Sequence, residues 1–354
     1  MKRTSLFGQH QKLNAKFTEF SGWEMPVQYT SIIDEHNAVR TSVGVFDTSH
    51  MGTFLVSGAN AEKFLDKVTL GNISGLSENK ARYSMILNED GGIKDDIIVY
   101  KTGGSYMIVV NAGNLEKDWQ WLNSYKDTGV ELKDISSDIC LLAVQGPKAV
   151  EVMQTLSETN VQDMKYFTVT DLKLANISAE FCKIAKTGYT GEDGFEIFIS
   201  NSAASALWEK LMASSVKSCG LGCRDTLRLE ACLPLYGHEL EEDINPIEAG
   251  FIKTVNFEKD FIGKQALLAV KDKPSRKSIA FECLSGIARN ANVIYEGEKK
   301  VGFVTSGTFS PTLKKAIGMA LVEAGADMNN LEVEIHGQRR KIKEVKKPFY
   351  KRAR

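Results

Sequence analysis

Residues Asn88 to Tyr100 read NEDGGIKDDIIVY, and the fold turns on this stretch. Gly91-Gly92 stands between two strand-like runs, Arg82–Leu87 and Ile93–Tyr100. Glycine enters positive φ without a Cβ penalty, so the pair predicts a hairpin turn. Side chains alternate along a strand. Ile93, Asp95, Ile97 and Val99 therefore share one face, and Lys94, Asp96, Ile98 and Tyr100 the other. Both faces turn apolar after the two aspartates, so the strand should enter a covered sheet. Asp96 then sits at the mouth of something buried, on the face that carries Tyr100. A solvated Asp-Asp pair after a turn is the plainer alternative, since charged turn residues are ordinary.

Upstream, Phe17–Tyr29 (FTEFSGWEMPVQY) is dense in aromatics and broken by Gly22 and Pro26, which predicts an irregular packed segment. Thr30-Ser31 offers an N-cap with Asp34 and Glu35 in the first turn, and the helix should run to about Val43. Phe46–His50 (FDTSH) leads into a strand near Thr53–Val56. A pattern then occurs twice. Val56-Ser57-Gly58 opens a helix ending near Val68, and Val144-Gln145-Gly146-Pro147 opens another ending near Leu156, with proline at an allowed first-turn position. The first copy continues through Asn88–Gly92 to a strand and a helix with Trp119 and Trp121. The second continues through Gly191-Glu192-Asp193-Gly194 to a strand and a helix with Trp208. Two diverged α+β units of roughly 90–100 residues, each a split β-α-β arrangement, account for this.

In the second copy, Glu196 is a carboxylate on an otherwise largely apolar strand. It is either a rim glutamate or a buried acceptor for a ligand's paired N–H donors. Gly220-Leu221-Gly222 precedes the helix CRDTLRLEAC, in which Asp225 and Arg228 have the spacing to pair. The dipole does not favour an arginine at a helix N-terminus, so Arg224 is a candidate for tertiary or ligand contact. From about Lys277 the pattern becomes short strands: Ser278–Cys283, Asn292–Tyr295, Gly302–Thr305, Ile317–Val322, Leu331–Ile335 and Lys341–Val345. They read as a small all-β barrel or sandwich. Arg339 to Arg354 carries nine basic residues against one acid. That is either a solvated edge strand and tail or a dock for an acidic partner or polyanionic ligand tail.

Bulk properties set outer bounds. With 354 residues, 43% hydrophobic and 25% charged, the chain has the make-up of a globular protein of about two or three domains. A net charge of −1 supplies no global field for nucleic acid or membrane. There is no long apolar span or apolar N-terminal segment, and a cytoplasmic location is expected. The six cysteines form no CxxC pair and read as small buried hydrophobes in a reducing compartment. The five histidines are scattered singly, so no metal is expected. Neither a P-loop, a GxGxxG after a strand nor a GxSxG is present, which disfavours nucleotide and serine-hydrolase chemistry.

Taken together, FSGWEMPVQY, EHNAVR, GVFDTSHMG, NEDGGIKDDIIVY, VVNAGNLEKD, VQGPKA, TGYTGEDGFE, GLGCRDTLRLEA, LPLYGHEL, DFIGKQAL and TSGTFSPTL resemble the T-protein family of the glycine cleavage system. The joint order of these segments carries the resemblance, over almost the whole chain. It implies an α+β fold in a three-domain cloverleaf around a central folate site. The expected domains are 1–140, which includes the catalytic hairpin, then 141–275, and a C-terminal β-barrel at 276–354. It implies an aminomethyltransferase that moves a one-carbon unit from the aminomethyl-dihydrolipoyl arm of the partner H-protein to tetrahydrofolate. The products are 5,10-methylenetetrahydrofolate, ammonia and dihydrolipoyl H-protein, with no metal, nucleotide, nucleic acid or membrane involved.

Residue by residue, Asp96 matches the family's catalytic aspartate, and Tyr83 and Tyr100 its folate-contacting aromatics. Tyr189 is similar to another pocket wall. Glu196 matches the carboxylate that reads the pterin, and Arg224 the arginine of the folate site. The neighbourhood of Asn111 is expected to line the pocket as backbone, and Tyr350 matches a ligand-contacting tyrosine. Cys223 departs from the family, which commonly has alanine there. Two same-fold alternatives remain. One is a folate-dependent demethylase of a small methyl donor. The other is a non-enzymatic folate-binding iron–sulfur assembly factor, whose K-G-C-Y-x-G-Q-E motif is replaced here by LPLYGHELEED.

Overall fold

The computed structural model describes residues 1–352. After helix α1 (Phe7–Lys12), strands β1 (Lys16–Phe20) and β2 (Trp23–Gln28) form an antiparallel hairpin. The aromatic segment is therefore a ribbon, where the sequence had suggested irregular chain. Ser21 (φ 50) and Gly22 (φ 83) make the two-residue turn that matches strand twist. Pro26 is tolerated because a two-stranded ribbon leaves an outer edge that needs no N–H donor. Helix α2 (Ile32–Thr41) is capped by Ser31, whose hydroxyl accepts the Asp34 N–H at 3.1 Å. It stops short of Val43 because Ser42 leaves helical geometry ahead of the buried strand β3 (Gly44–Asp47).

Two runs of the same order follow. The first is β4 (Gly52–Ser57), α3 (Ala61–Val68), β5 (Lys80–Leu87), β6 (Ile93–Thr102), β7 (Ser105–Val110), α4 (Leu115–Ser124) and β8 (Glu131–Asp134). The second is β9 (Ile139–Gln145), α5 (Ala149–Leu156), β10 (Val169–Asp171), β11 (Cys182–Ala185), β12 (Gly194–Ser200), α6 (Asn201–Ala213) and β13 (Lys217–Ser218). Helices α7 (Leu221–Glu230) and α8 (Lys264–Val270) precede the last strands. These are β14 (Arg276–Cys283), β15 (Val293–Glu296), β16 (Lys299–Ser310), β17 (Lys315–Glu323), β18 (Leu331–Ile335) and β19 (Gln338–Val345).

The chain divides into two compact units. The first comprises Met1–Leu65, Ile73–Tyr83 and Ile97–Asp225. Its sheets have the orders β5-β6-β7-β4-β8 and β10-β11-β12-β9-β3-β13. The internal repeat is thus real at the level of topology. Each run contributes its second, third, fourth, first and last strands in that spatial order, and β3 is inserted between β9 and β13 in the second sheet. β8 is antiparallel to β4; β3 is antiparallel to β9 and parallel to β13, so the last strand keeps the same sense in both copies. The sheets meet through equivalent strands. The Ala81 N–H donates to the Phe167 carbonyl at 2.8 Å and the Val169 N–H to the Asn79 carbonyl at 3.1 Å.

Alternation along β12 decides what this unit buries. Phe195, Ile197 and Ile199 enter a core with Val45, Leu142, Val144 and Trp208. Phe198 enters a second core with Tyr100, Met107, Val109 and Leu141. Glu196 has the parity of that second face, as expected from the sequence.

The second unit comprises Asp66–Asn72, Ser84–Asp96 and the chain from Thr226 onward. Its last six strands close into a barrel of order β14-β17-β16-β15-β18-β19, with β19 back on β14. Closure removes exposed edges. Ile279, Phe281, Val304, Val322 and Val333 fill the interior. β16 is much longer than the expected Gly302–Thr305; a register shift between Val304 and Ser306 lets it bend within the barrel. Here too lies the Asn88–Gly92 turn, closed by the Asn88 N–H to the Gly92 carbonyl at 2.9 Å. Only Gly91 needs glycine for its φ of 83°. Gly92 needs it for space, since a Cβ would stand 1.8 Å from the Glu242 carbonyl oxygen.

Candidate active site

The first unit builds its site around Glu196. Strand β12 pairs it between Ala185 and Ala143, whose methyls leave room for a carboxylate. Glu196 is 7% exposed. Its Oε2 accepts the Tyr100 hydroxyl at 3.2 Å and the Thr187 hydroxyl at 2.5 Å. Among the described residues, Oε1 accepts nothing. Burial, then the Glu196 charge, pushes the Tyr100 hydroxyl well above its ordinary pKa, so it stays a donor. Phe198 packs edge-on against the Tyr100 ring at 5.5 Å. The result is a buried carboxylate with one oxygen committed to hydroxyls and the other open, the arrangement that accepts N–H groups from a ligand.

The loop carrying Thr187 and Tyr189 is held by Gln145. Its amide donates to the carbonyls of Thr187 (3.2 Å) and Phe195 (3.3 Å), and its oxygen accepts the Thr190 hydroxyl at 2.8 Å. Arg40, its side chain 6% exposed, adds a bond to the Thr190 carbonyl at 2.7 Å and an ion pair to Glu192 at 2.8 Å. Tyr189 is half-buried, and the Arg224 guanidinium lies 4.6 Å from its ring centroid. Arg224 sits in the first turn of α7. The Gly220-Leu221-Gly222 run is required there, because a Cβ on Gly220 would meet the Val27 backbone at 2.4 Å. Glu35 fixes this start: Oε2 accepts the Gly220 N–H at 2.9 Å while Oε1 takes the N–H groups of Tyr29 and Thr30. The Nη1 of Arg224 is buried and has no hydrogen-bond partner among the described residues. Cys223 is fully buried beside it, in the space of a small side chain.

Tyr83 on β5 is half-buried in the same unit. Asn111 stands before a short 3-10 turn, and its carbonyl accepts the Asn114 N–H at 3.0 Å. Asp96 and Tyr350 belong to the second unit. Asp96 is half-buried on β6, next to fully buried Asp95. That stretch is well anchored. The Ile93 N–H bonds the Ile244 carbonyl at 3.0 Å, and Tyr236 donates to the Ile93 carbonyl at 3.1 Å. The loop bearing Tyr236 is pinned by Glu239, which takes the Leu235 N–H, the Thr305 hydroxyl and Arg228 at 2.8 Å. Arg228 thus pairs with Glu239 and also reaches Ser306 at 2.7 Å. The Tyr350 N–H is tied to the Glu230 carbonyl at 2.9 Å.

Sequence reasoning missed Thr187, Gln145 and Glu35. Gly188, beside Thr187, and Gly194 would each drive a Cβ into the Gln145 side chain, so the glycines of KTGYTGEDG were the available signal. No group of three His, Cys, Asp or Glu among the described residues could hold a metal ion.

Such a site suits a flat, polar ring that offers paired N–H donors at one edge and a face to an aromatic wall. Comparison with known proteins gives that class a family. Residues 6–259 match the GCVT N-terminal domain, and residues 276–351 match the glycine cleavage T-protein C-terminal barrel domain. An aminomethyltransferase of a Geobacillus species is 46% identical over the full length of both chains. One from Caldanaerobacter subterraneus is 45% identical, covering 99% of this chain and 96% of that one. The crystal structure of the glycine cleavage system aminomethyltransferase T from Bartonella henselae superposes with a TM-score of 0.93 at 32% identity, over 99% of this chain and 98% of that chain. The chain belongs to the glycine cleavage T-protein family.

Proposed function

We propose that this chain is the aminomethyltransferase of a glycine cleavage system, with tetrahydrofolate as acceptor and lipoylated H-protein as donor. The observation that carries the ligand assignment is the open Oε1 of buried Glu196. A pterin presents its 2-amino group and a ring N–H side by side, and an ionised carboxylate accepts both. Arg224, stacked on Tyr189, supplies donors to the same ring, and Tyr100 and Thr187 hold the carboxylate in place. Tyr83 and the Asn111 backbone are assigned to the walls of the folate site, and Tyr350 to a ligand contact.

Asp96 is assigned the catalytic role. The reaction forms two bonds from the transferred carbon to folate nitrogens and breaks its bonds to sulfur and to the amine. The two folate nitrogens lose one proton each; one proton ends on the departing ammonia and the other on the lipoyl thiol. A carboxylate beside the reacting nitrogen accepts a proton in passage and stabilises positive charge on the transferred carbon. Aromatic walls keep water from that carbon, which would otherwise hydrolyse to formaldehyde. Orientation of the two reactants supplies much of the remaining rate.

The test is ammonia release from aminomethyl-loaded H-protein, with and without tetrahydrofolate. Release that depends on both supports the assignment. No release with verified substrates, or turnover of a free methyl donor without H-protein, overturns it.

A further inference from the structure

His50 sits in the turn between β3 and β4, and its imidazole has no part in holding that turn. The Thr48 N–H bonds the Leu141 carbonyl at 2.9 Å, Asp47 accepts the Ser49 N–H and hydroxyl at 2.9 and 2.6 Å, and the Met51 N–H closes on Thr48 at 3.1 Å. The ring itself is 4% exposed, packed edge-on against Phe20 at 5.5 Å. It makes no hydrogen bond to any described residue, and its Nδ1 is enclosed. The charged groups that act on it are Arg224 and Asp47. Burial, then the Arg224 guanidinium, depress its pKa to about 4, so the ring is neutral and offers one donor and one acceptor nitrogen. Arg224 Nη1 is likewise buried without a partner. Unmet buried polar atoms are costly, and two in that state whose groups act on one another point to a ligand that satisfies both.

We propose that His50 is a binding residue of the folate site, its Nδ1 accepting a ring N–H while Arg224 Nη1 donates to the carbonyl beside that N–H. A reduced pterin has such an edge, a ring carbonyl flanked by the N–H of the saturated ring, adjoining the donor pair assigned to Glu196. The oxidised ring has a lone pair in place of that N–H. His50 therefore selects the reduction state of the ring. This inference rests on the folate assignment above.

The test measures dissociation constants of tetrahydrofolate and oxidised folate for the full chain, His50→Leu and His50→Asn, with the melting temperature of each. Wild type should prefer the reduced ring. His50→Leu should weaken tetrahydrofolate roughly tenfold, the worth of one hydrogen bond, and leave oxidised folate unchanged. Its melting temperature should not fall, since the imidazole has no protein partner to lose. His50→Asn, with a carbonyl oxygen near the Nδ1 position, should recover most of the preference. If His50→Leu retains the wild-type affinity and ring preference, or loses affinity for both rings alike with a lower melting temperature, His50 is a packing residue and the proposal fails. If wild type binds neither ring, the folate assignment itself falls, and this inference with it.

Discussion

Replacing Glu196 with alanine tests the ligand assignment most directly. In the folded chain its Oε2 is taken by Tyr100 and Thr187, and Oε1 is open. A ligand N–H to an ionised carboxylate is worth about 1.5–3 kcal/mol. Two such N–H groups on Oε1, partly replaced by water on its removal, leave a loss of about 3 kcal/mol, which is roughly a hundredfold in Kd. Glu196→Gln should cost less, about tenfold, because its amide nitrogen can face the two hydroxyls, which also accept, and leave its oxygen for the ligand. Tyr100→Phe removes a support without touching that oxygen and should weaken binding by about 1 kcal/mol. Calorimetric titration with tetrahydrofolate gives each Kd, and the Glu196→Ala/Tyr100→Phe double mutant gives their coupling. Strong coupling is expected, because the phenol acts through the carboxylate. A Glu196→Ala protein binding tetrahydrofolate within twofold of wild type refutes the reasoning, as does full additivity of the two changes.

Asp96→Asn should keep folate affinity and lose about two to three orders of magnitude in turnover, read from single-turnover ammonia release; equal turnover removes Asp96 from the mechanism. Arg224→Lys gives up both the planar fork and the stack on Tyr189, so KM for tetrahydrofolate should rise about tenfold or more with the fold intact. Gly92→Ala drives a methyl into the Glu242 carbonyl and should destabilise the chain by about 3 kcal/mol or more in urea unfolding. His50 supplies a pH signature. Its folded pKa of about 4 lies below the ordinary 6.5, so the unfolded chain takes the proton first as pH falls. Stability should therefore drop between about pH 6.5 and 4, by about 3 kcal/mol in total, and His50→Asn should flatten that window.

Much of the site could be read from residue order because parity and glycine spacing are local. Alternation along Gly194–Ser200 set Glu196 on the Phe198 side, and the cores are divided on that parity. The Ser31 cap, the Gly91 turn and all six barrel strands followed from short-range rules. What stayed hidden depends on partners far along the chain. The hydroxyl support from Thr187 needs a loop that Gln145, 42 residues earlier, holds in place. Arg228 reaches Glu239, 11 residues on, because a buried carboxylate meets it across a folded loop. The N-terminal aromatic segment was misread because Pro26 argues against a strand, and nothing local announces that the ribbon leaves an edge free.

The insertion of β3 into the second sheet makes that sheet's assembly a long-range event. Gly44–Asp47 pairs with Leu142–Gln145, and Lys217–Ser218 then adds to its outer side. The strand that completes the second repeat leaves the ribosome before any of the first repeat does, and must wait through that repeat's synthesis for its neighbours. Loops of that length are entropically slow to close. The second repeat is consequently not a module that can be cut out at its own boundaries. A fragment beginning at β9 would lack its β3 partner and leave β13 unpaired, so any shuffling of this protein between relatives has to carry the first fifty or so residues along with the second repeat.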